Sequence, residues 1–287
     1  MELETEIVTY DLRGFKIPLE RTTDKSEKQV FWPTAPPTAT GITHFLAESL
    51  EIERGDTVID MGTGTGILAI LSARLGAKEV YAVDKQEEAC ELANRNVAHS
   101  IASGLIARGI VKVRRGDLFE PLEGILADEI IGDVSGVAKL LAGPWYPEGV
   151  PTSGYYGSEL PIKMLEEAGK YLRDGGKVYI PIGTIADDEG VESYAREKFG
   201  PNNVRQLEIN KRKKKIDERE VVYFEYKDKV GLLKAFDEGK ELFDEGKVKF
   251  FKREGGVYIR LEKINKELIE NTNRIFWQFR VLKATKG

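Results

Sequence analysis

Apolar and polar positions change period several times along the chain. Between residues 5 and 21 apolar side chains recur in the order Ile7, Tyr10, Leu12, then Phe15, Ile17, Leu19, on either side of Arg13-Gly14. Alternation around a short glycine turn predicts a two-stranded hairpin. A polar break at Thr22–Lys28 leads into Val30-Phe31-Trp32-Pro33-Thr34-Ala35-Pro36-Pro37-Thr38. Its prolines forbid a helix until Thr38 or Thr40 caps one that carries Phe45, Leu46 and Leu50 on a single face. From Asp56 to Ile180 short apolar runs alternate with helical patterns. Strands are predicted at Thr57–Met61, Glu79–Asp84, Ile110–Arg115, Glu129–Asp133 and Lys177–Ile180, with helices starting near Gly66, Glu87, Gly136 and Ser158. Strand, helix, strand, helix in succession is the pattern of a doubly wound, mostly parallel α/β sheet. A tight turn is expected at Arg173-Asp174-Gly175-Gly176.

The pattern then changes. A helix over 189–198 precedes two strands, Val204–Ile209 and Glu220–Tyr226, which are expected to supply an antiparallel strand. The remainder reads as a helix over Val230–Gly246, a hairpin turning at Gly255-Gly256, a short helix from Asn265 and a last strand, Arg274–Leu282.

Composition narrows the function classes. With 287 residues, 41% hydrophobic and 32% charged, the chain can bury one large core, or one core and a smaller appended unit. Many Lys and Glu beside 1 Cys and 3 Met is a composition expected of a heat-adapted protein. Cys90 lies in a helical pattern and is expected as a small buried hydrophobe, with no partner for an intramolecular disulfide. His44 and His99 are the two histidines, and neither lies in metal-ligand spacing, so no metal site is expected. No apolar run approaches the ~20 residues that span a bilayer, and the acidic start Met1-Glu2-Leu3-Glu4 is unlike a signal peptide. A cytoplasmic protein without membrane association is expected, as a monomer or small homo-oligomer.

The chemistry centres on Asp60-Met61-Gly62-Thr63-Gly64-Thr65-Gly66, where an apolar strand runs into a glycine turn and then an apolar helix. Such a turn lets a ligand approach the backbone and the unpaired N–H groups of the helix start. The spacing is not the G-x-G-x-x-G of dinucleotide folds. A carboxylate at Asp60 also opposes a pyrophosphate and suits a cationic amino-acid moiety. Asp84 ends the next strand and can accept hydrogen bonds from both hydroxyls of a ribose. Gly116-Asp117 follows the third strand, and Asp133 closes the fourth.

The turn resembles motif I of the class I S-adenosylmethionine-dependent methyltransferases. That resemblance implies a seven-stranded, mostly parallel doubly wound sheet for residues 38–229, with an N-terminal hairpin and cofactor-covering segment over 1–37 and an α+β extension over 230–287. It implies S-adenosylmethionine as cofactor, held by Thr38, Asp60, Gly62, Thr63, Gly64, Gly66, Asp84 with Lys85, Gly116, Asp117 and Asp133. Asp117 is similar to the family residue that accepts the adenine amino group. After strand four, the N-methyltransferases of this family carry (Asp/Asn/Ser)-Pro-Pro-(Tyr/Phe), whose acceptors pull a planar nitrogen toward tetrahedral geometry. Here Asp133-Val134-Ser135-Gly136 keeps the acceptor and loses both prolines and the stacking aromatic. Asp133, Val134 and Ser135 are therefore the candidate catalytic residues. Either the stacking aromatic is Trp145, Tyr146, Tyr155 or Tyr156, with Phe31 and Trp32 as further candidates, or the substrate is not planar.

An aspartate at the acceptor position resembles the enzymes that methylate base amines. The run Lys211-Arg212-Lys213-Lys214-Lys215 could contact phosphates, an affinity without sequence information. The expected activity is methylation of an exocyclic amino nitrogen of an RNA base, cytosine N4 of ribosomal RNA being the preferred target. The alternative is a side-chain nitrogen of a ribosomal protein or translation factor. A cofactor-binding scaffold without catalysis is the third reading.

Overall fold

The computed structural model describes residues 5–22, 41–142, 153–207, 209–210, 215–216 and 222–287. Strands β1 (Thr5–Leu12) and β2 (Phe15–Thr22) form the expected hairpin, with Leu12 paired to Phe15 across Arg13-Gly14. Helix α1 (Ile42–Ser49) follows. The wound region comprises β3 (Thr57–Met61), α2 (Ile67–Leu75), β4 (Glu79–Asp84), α3 (Glu87–Ala102), β5 (Val111–Arg115), β6 (Ala127–Gly132), α4 (Glu159–Tyr171), β7 (Leu172–Gly183) and α5 (Asp188–Phe199). Next come β8 (Val204–Leu207), β9 (Ile209–Asn210), β10 (Lys215–Ile216), β11 (Val222–Tyr226), α6 (Lys229–Glu238) and α7 (Lys240–Asp244). The chain closes with β12 (Phe251–Glu254), β13 (Val257–Arg260), α8 (Lys266–Asn271) and β14 (Ile275–Thr285).

Five strands run parallel in the order β5-β4-β3-β6-β7, and β14 pairs antiparallel with β7. The fully buried strand β3, Thr57-Val58-Ile59-Asp60-Met61, lies at the centre, as a parallel sheet covered on both faces requires. Apolar clusters fill both faces: Leu68, Ile70, Val80 and Ile131 belong to one, Ile59, Val83, Ile130, Met164 and Ile180 to the other. The order reverses between β3 and β6, and a doubly wound sheet takes its ligands at that crevice, beyond the strands' carboxyl ends.

Three expectations change. No α-helix starts at Gly136; a single 3-10 turn, Lys139–Leu141, stands there. Arg173–Gly176 is no terminal loop but an irregularity inside β7, where the register to β6 slips between the Ala127–Leu172 and Glu129–Lys177 pairs. The antiparallel strand beside β7 comes from Ile275–Thr285, at the far end of the chain, while β8 and β11 pair with β14 from its other side. The sheet therefore draws strands from both sides of residue 229. A buried ion cluster secures that joint: Asp188, 1% exposed at the start of α5, pairs with Lys249 at 2.5 Å and with Arg280 of β14.

Candidate functional site

The glycine turn is shaped by backbone conformation. Gly62, Gly64 and Gly66 have φ of 76°, 51° and 81°, a region open to glycine and costly for other residues. The amides of Gly62 and Thr63 both donate to the Val83 carbonyl, at 2.9 and 3.0 Å, which pins the turn to the neighbouring strand. A Cβ on Gly62 would lie 2.9 Å from the Asp133 carbonyl oxygen. The turn thus lies directly against the segment that follows β6, and the two halves of the crevice meet at Gly62.

Carboxylates surround this point. Asp60 is wholly buried on β3; its Oδ2 accepts a 2.6 Å hydrogen bond from Thr63 Oγ1, and its Oδ1 has no partner among the described residues. Burial is the main cause that pushes its pKa up to about 7; the Thr63 bond opposes the rise and the Asp133 charge adds to it. Asp84 accepts from the Gly64 amide at 3.0 Å through Oδ2 and from the Gln86 amide at 3.0 Å through Oδ1, and burial raises its pKa. Each of its oxygens keeps acceptor capacity for a further donor. Asp133 is pushed up to about 6 by burial, against a 3.3 Å hydrogen bond that Thr43 Oγ1 donates to its Oδ2. Ser135 Oγ is buried without a partner among the described residues.

Asp117 lies at the rim and is ion-paired to Lys163 of α4 at 3.2 Å and to Lys85 at 3.6 Å. Burial alone would raise its pKa; the two ammonium groups outweigh burial and hold it below the ordinary carboxylate range. Lys85 is thus a partner of Asp117, with a 70% exposed side chain. Gly116 donates its amide to the Asp84 carbonyl at 3.0 Å, and a Cβ there would collide with Pro121.

Of the aromatic candidates, Tyr155 and Tyr156 are described. Their rings meet edge to face at 5.2 Å; Tyr155 hydrogen-bonds Glu241 of α7 and Lys247 lies 5.8 Å over Tyr156. Both rings pack onto the C-terminal segment. Phe31, Trp32, Thr38, Trp145, Tyr146, Lys211, Arg212, Lys213 and Lys214 lie outside the described residues, and of Lys215 only the backbone in β10 is described. The β9–β10 hairpin that flanks the basic run lies beside α1, the helix that carries Thr43.

Two residues carry no mark in the local sequence pattern strong enough to single them out. Thr43 sits in α1, ninety positions before the carboxylate it touches, and nothing near it in the chain points there. Asn96, 1% exposed in α3, donates to the Thr65 carbonyl of the glycine turn and to the Glu20 carbonyl of β2, both at 2.9 Å. A buried polar residue on an otherwise apolar helix face was the available signal for Asn96. Among the described residues no group of three His, Cys, Asp or Glu side chains is placed to hold a metal ion, and no helix is long and apolar enough to cross a membrane.

This arrangement has relatives. Residues 37–133, which end on Asp133, match the family model described as ribosomal protein L11 methyltransferase (PrmA). The ribosomal protein L11 methyltransferase of Bacillus cereus (strain ATCC 10987 / NRS 248) is 32% identical over 183 residues, 64% of this chain. Over these residues the chain is similar to the class I S-adenosylmethionine-dependent methyltransferases. S-adenosylmethionine is the cofactor of this class. The chain spans about half the length of the curated relatives it matches, 49% for the Bacillus cereus protein. Its fold is shared with the T. thermophilus 16S rRNA N2 G1207 methyltransferase RsmC, solved with AdoMet and guanosine, at TM-score 0.50 and 16% identity over 100% of this chain and 52% of that one. SMU.776, a putative methyltransferase solved with SAH, aligns at TM-score 0.51 and 10% identity over 99% of this chain and 57% of that one.

The described residues fit that cofactor. The unpartnered Oδ1 of Asp60 offers a buried anionic acceptor, Asp84 offers two carboxylate oxygens above Gly64, and Gly62 leaves no room for a side chain between the turn and Asp133.

Proposed function

We propose that the protein transfers the methyl group of S-adenosylmethionine to an amine nitrogen of a ribosomal component, with Asp133 as the acceptor that orients the nucleophile. The observation that carries the proposal is the juxtaposition of the Asp133 carboxyl, raised to about 6, with the glycine turn against which its own carbonyl packs. The bound cofactor supplies an electrophilic methyl carbon on a positively charged sulfur. Asp133 then has two tasks. Its ionised oxygen accepts a hydrogen bond from the attacking N–H, which turns the nitrogen lone pair toward the methyl group and fixes it for in-line attack. As the N–C bond forms and the S–C electron pair returns to sulfur, the nitrogen sheds a proton, and a carboxylate of pKa about 6 can take it and pass it to water near neutral pH. Asp60, Asp84 and Asp117, with Gly62, Thr63, Gly64, Gly66, Lys85 and Gly116, form the proposed cofactor cradle. Val134 and Ser135 extend the acceptor site.

Within that activity, an exocyclic amine of an RNA base, cytosine N4 of ribosomal RNA foremost, is the preferred substrate. The acidic acceptor supports it, because a delocalised amine nitrogen needs a stronger acceptor than an aliphatic amine does. A side-chain nitrogen of a ribosomal protein is the second reading, favoured by the L11 methyltransferase relatives at 32% identity. Ribosomes from a strain lacking the protein, incubated with it and methyl-labelled S-adenosylmethionine and then split into RNA and protein, test both. Label in RNA nucleosides supports the first reading and label in a protein band the second; label in neither refutes the activity.

A further inference from the structure

The N-terminal hairpin stands outside the central sheet, as a two-stranded sheet of its own. Tyr10, Leu12, Ile17 and Leu19 form its inner face, each at most 1% exposed, and share an apolar cluster with Leu68 and Leu71 of α2 and Val97 of α3. β2 thus lies against the two helices that border the glycine turn. α2 leaves the turn at Gly66, and α3 passes close to that glycine: a Cβ on Gly66 would lie 3.3 Å from the Cβ of Ala93. Asn96 follows Ala93 by three positions, on the same buried face of α3.

One side chain joins hairpin and turn. Asn96 Oδ1 accepts from the Glu20 amide of β2 at 2.7 Å, and Asn96 Nδ2 donates to the Glu20 carbonyl and to the Thr65 carbonyl, both at 2.9 Å. Both amide hydrogens are used. The reverse orientation would set Nδ2 against an N–H and Oδ1 against two carbonyls, so the partners fix the assignment. The bond to Thr65 bears on the shape of the turn. The Thr65 carbonyl shares a peptide plane with the Gly66 amide, which donates to the Thr63 carbonyl at 2.8 Å. That plane is held from both sides, by the turn itself and by Asn96. Rotating it would change ψ of Thr65 and φ of Gly66, which stands at 81° at the head of α2. Thr65 is 3% exposed and Asn96 1%, so water has no access to replace the donor.

Gly64 and Gly66 flank Thr65 and leave its carbonyl free to swing, so the bond from Asn96 selects one shape of the turn. The same amide group is bound twice to the Glu20 main chain, so the hairpin places the donor that does the selecting. We propose that Asn96 is a positioning residue for S-adenosylmethionine, and that through it the hairpin and the cofactor turn are coupled. A docked hairpin favours the binding shape of the turn, and bound cofactor fastens the hairpin. This coupling rests on the reading of the glycine turn as the cofactor site. By linkage the two effects are equal: the factor by which undocking weakens cofactor affinity is the factor by which bound cofactor disfavours undocking. Other contacts keep the hairpin in place when Asn96 is replaced. Arg13 Nη1 donates to the Leu50 carbonyl at 2.7 Å, and Arg95 pairs with Glu20 at 3.0 Å.

The test is S-adenosylmethionine affinity by calorimetry, with amide hydrogen exchange of the hairpin, both on the full chain. Asn96→Ala should weaken cofactor binding at least about fivefold, the lower end of what an unpartnered buried carbonyl costs. Leu19→Ala thins the inner face of the hairpin, leaves Asn96 in place and should weaken binding in the same direction. In the parent, saturating cofactor should slow exchange in β1 and β2 by at least about fivefold, and leave the β12–β13 hairpin at the far edge of the sheet unchanged. In Asn96→Ala that slowing should vanish. Lys249→Met, destabilised at its ion pair with Asp188, controls for stability alone and should keep the parent's cofactor affinity. Exchange in the parent decides the question if a hairpin variant fails to fold. Parent affinity in Asn96→Ala or Leu19→Ala, no cofactor effect on hairpin exchange in the parent, or an equal loss of affinity in Lys249→Met would each overturn the coupling and leave the cofactor site standing. A parent that binds no S-adenosylmethionine overturns both. Binding that the hairpin variants weaken, without methyl transfer to any ribosomal component by the parent, keeps the coupling and rejects the methyl-transfer reading.

Discussion

Replacing Thr43 by Val removes one hydroxyl and nearly nothing else, because the side chain is 2% exposed and Val has the same shape. The hydroxyl donates to Asp133 Oδ2 at 3.3 Å and opposes the burial that raises this carboxyl to about 6. A hydrogen bond to a charged group is worth ~1.5–3 kcal/mol, and at this length the lower figure applies. One pKa unit corresponds to ~1.36 kcal/mol, so the loss should raise Asp133 by about one unit, to roughly 7. The ionised form is the acceptor, so activity falls as pH drops through the Asp133 pKa, and the variant's acid limb moves to higher pH. At pH about 6.5 the ionised fraction, and with it kcat, should fall roughly threefold, while the two enzymes converge near pH 9. Thr43→Ser should restore the parent profile. The assay is the pH dependence of kcat at saturating cofactor. An unchanged acid limb in Thr43→Val, or a loss equal at every pH, would show that the Thr43 hydroxyl does not set the Asp133 pKa.

Other perturbations test other parts of the site. Gly62→Ala puts a methyl group 2.9 Å from the Asp133 carbonyl oxygen at a φ of 76°; cofactor affinity measured by calorimetry should drop at least about tenfold, with a lower Tm. Asp60 is raised to about 7 in the folded protein, above its unfolded value, so the fold without cofactor loses stability as pH rises from about 4 to 7. If a cationic ligand group meets its free Oδ1, binding favours the ionised form and must release protons below pH about 7; calorimetry in buffers of different ionisation enthalpy should show that release near pH 6, and Asp60→Asn should abolish it. Lys249→Met leaves the buried Asp188 with Arg280 alone and should cost about 2–3 kcal/mol, read as a fall in the midpoint of chemical unfolding.

The parts of the fold that local pattern governs were legible in the chain. Strands Thr57–Met61 and Glu79–Asp84 stand where their apolar runs end in turn residues, the hairpin turns at Arg13-Gly14, and α8 starts behind Asn265, whose side chain accepts from the Leu268 amide. Glycine spacing and a carboxylate at the end of each successive strand were likewise local. Long-range order was not. Nothing in Ile275–Thr285 says that it, and not Glu220–Tyr226, lies against β7; that choice is made by the Arg280–Asp188 ion pair and by packing of Phe279 on Phe45, between partners far apart in sequence. Thr43 was illegible for the same reason. A helix was expected near Gly136, yet Val137 donates its amide to Ser153 Oγ and Ala138 to the Ile185 carbonyl, so tertiary partners take the backbone groups that a helix would have used.

Asp133→Ala separates methyl transfer from cofactor binding. Cofactor binding and methyl transfer to ribosomes lacking the modification should be measured on the same preparations of parent and variant. Asp133→Ala should bind S-adenosylmethionine within about threefold of the parent, since Asp60 and Asp84 remain, and lose at least about a hundredfold in turnover. Retained turnover in the variant, or a parent protein that binds the cofactor and labels no ribosomal component, would contradict the role of Asp133 as the acceptor.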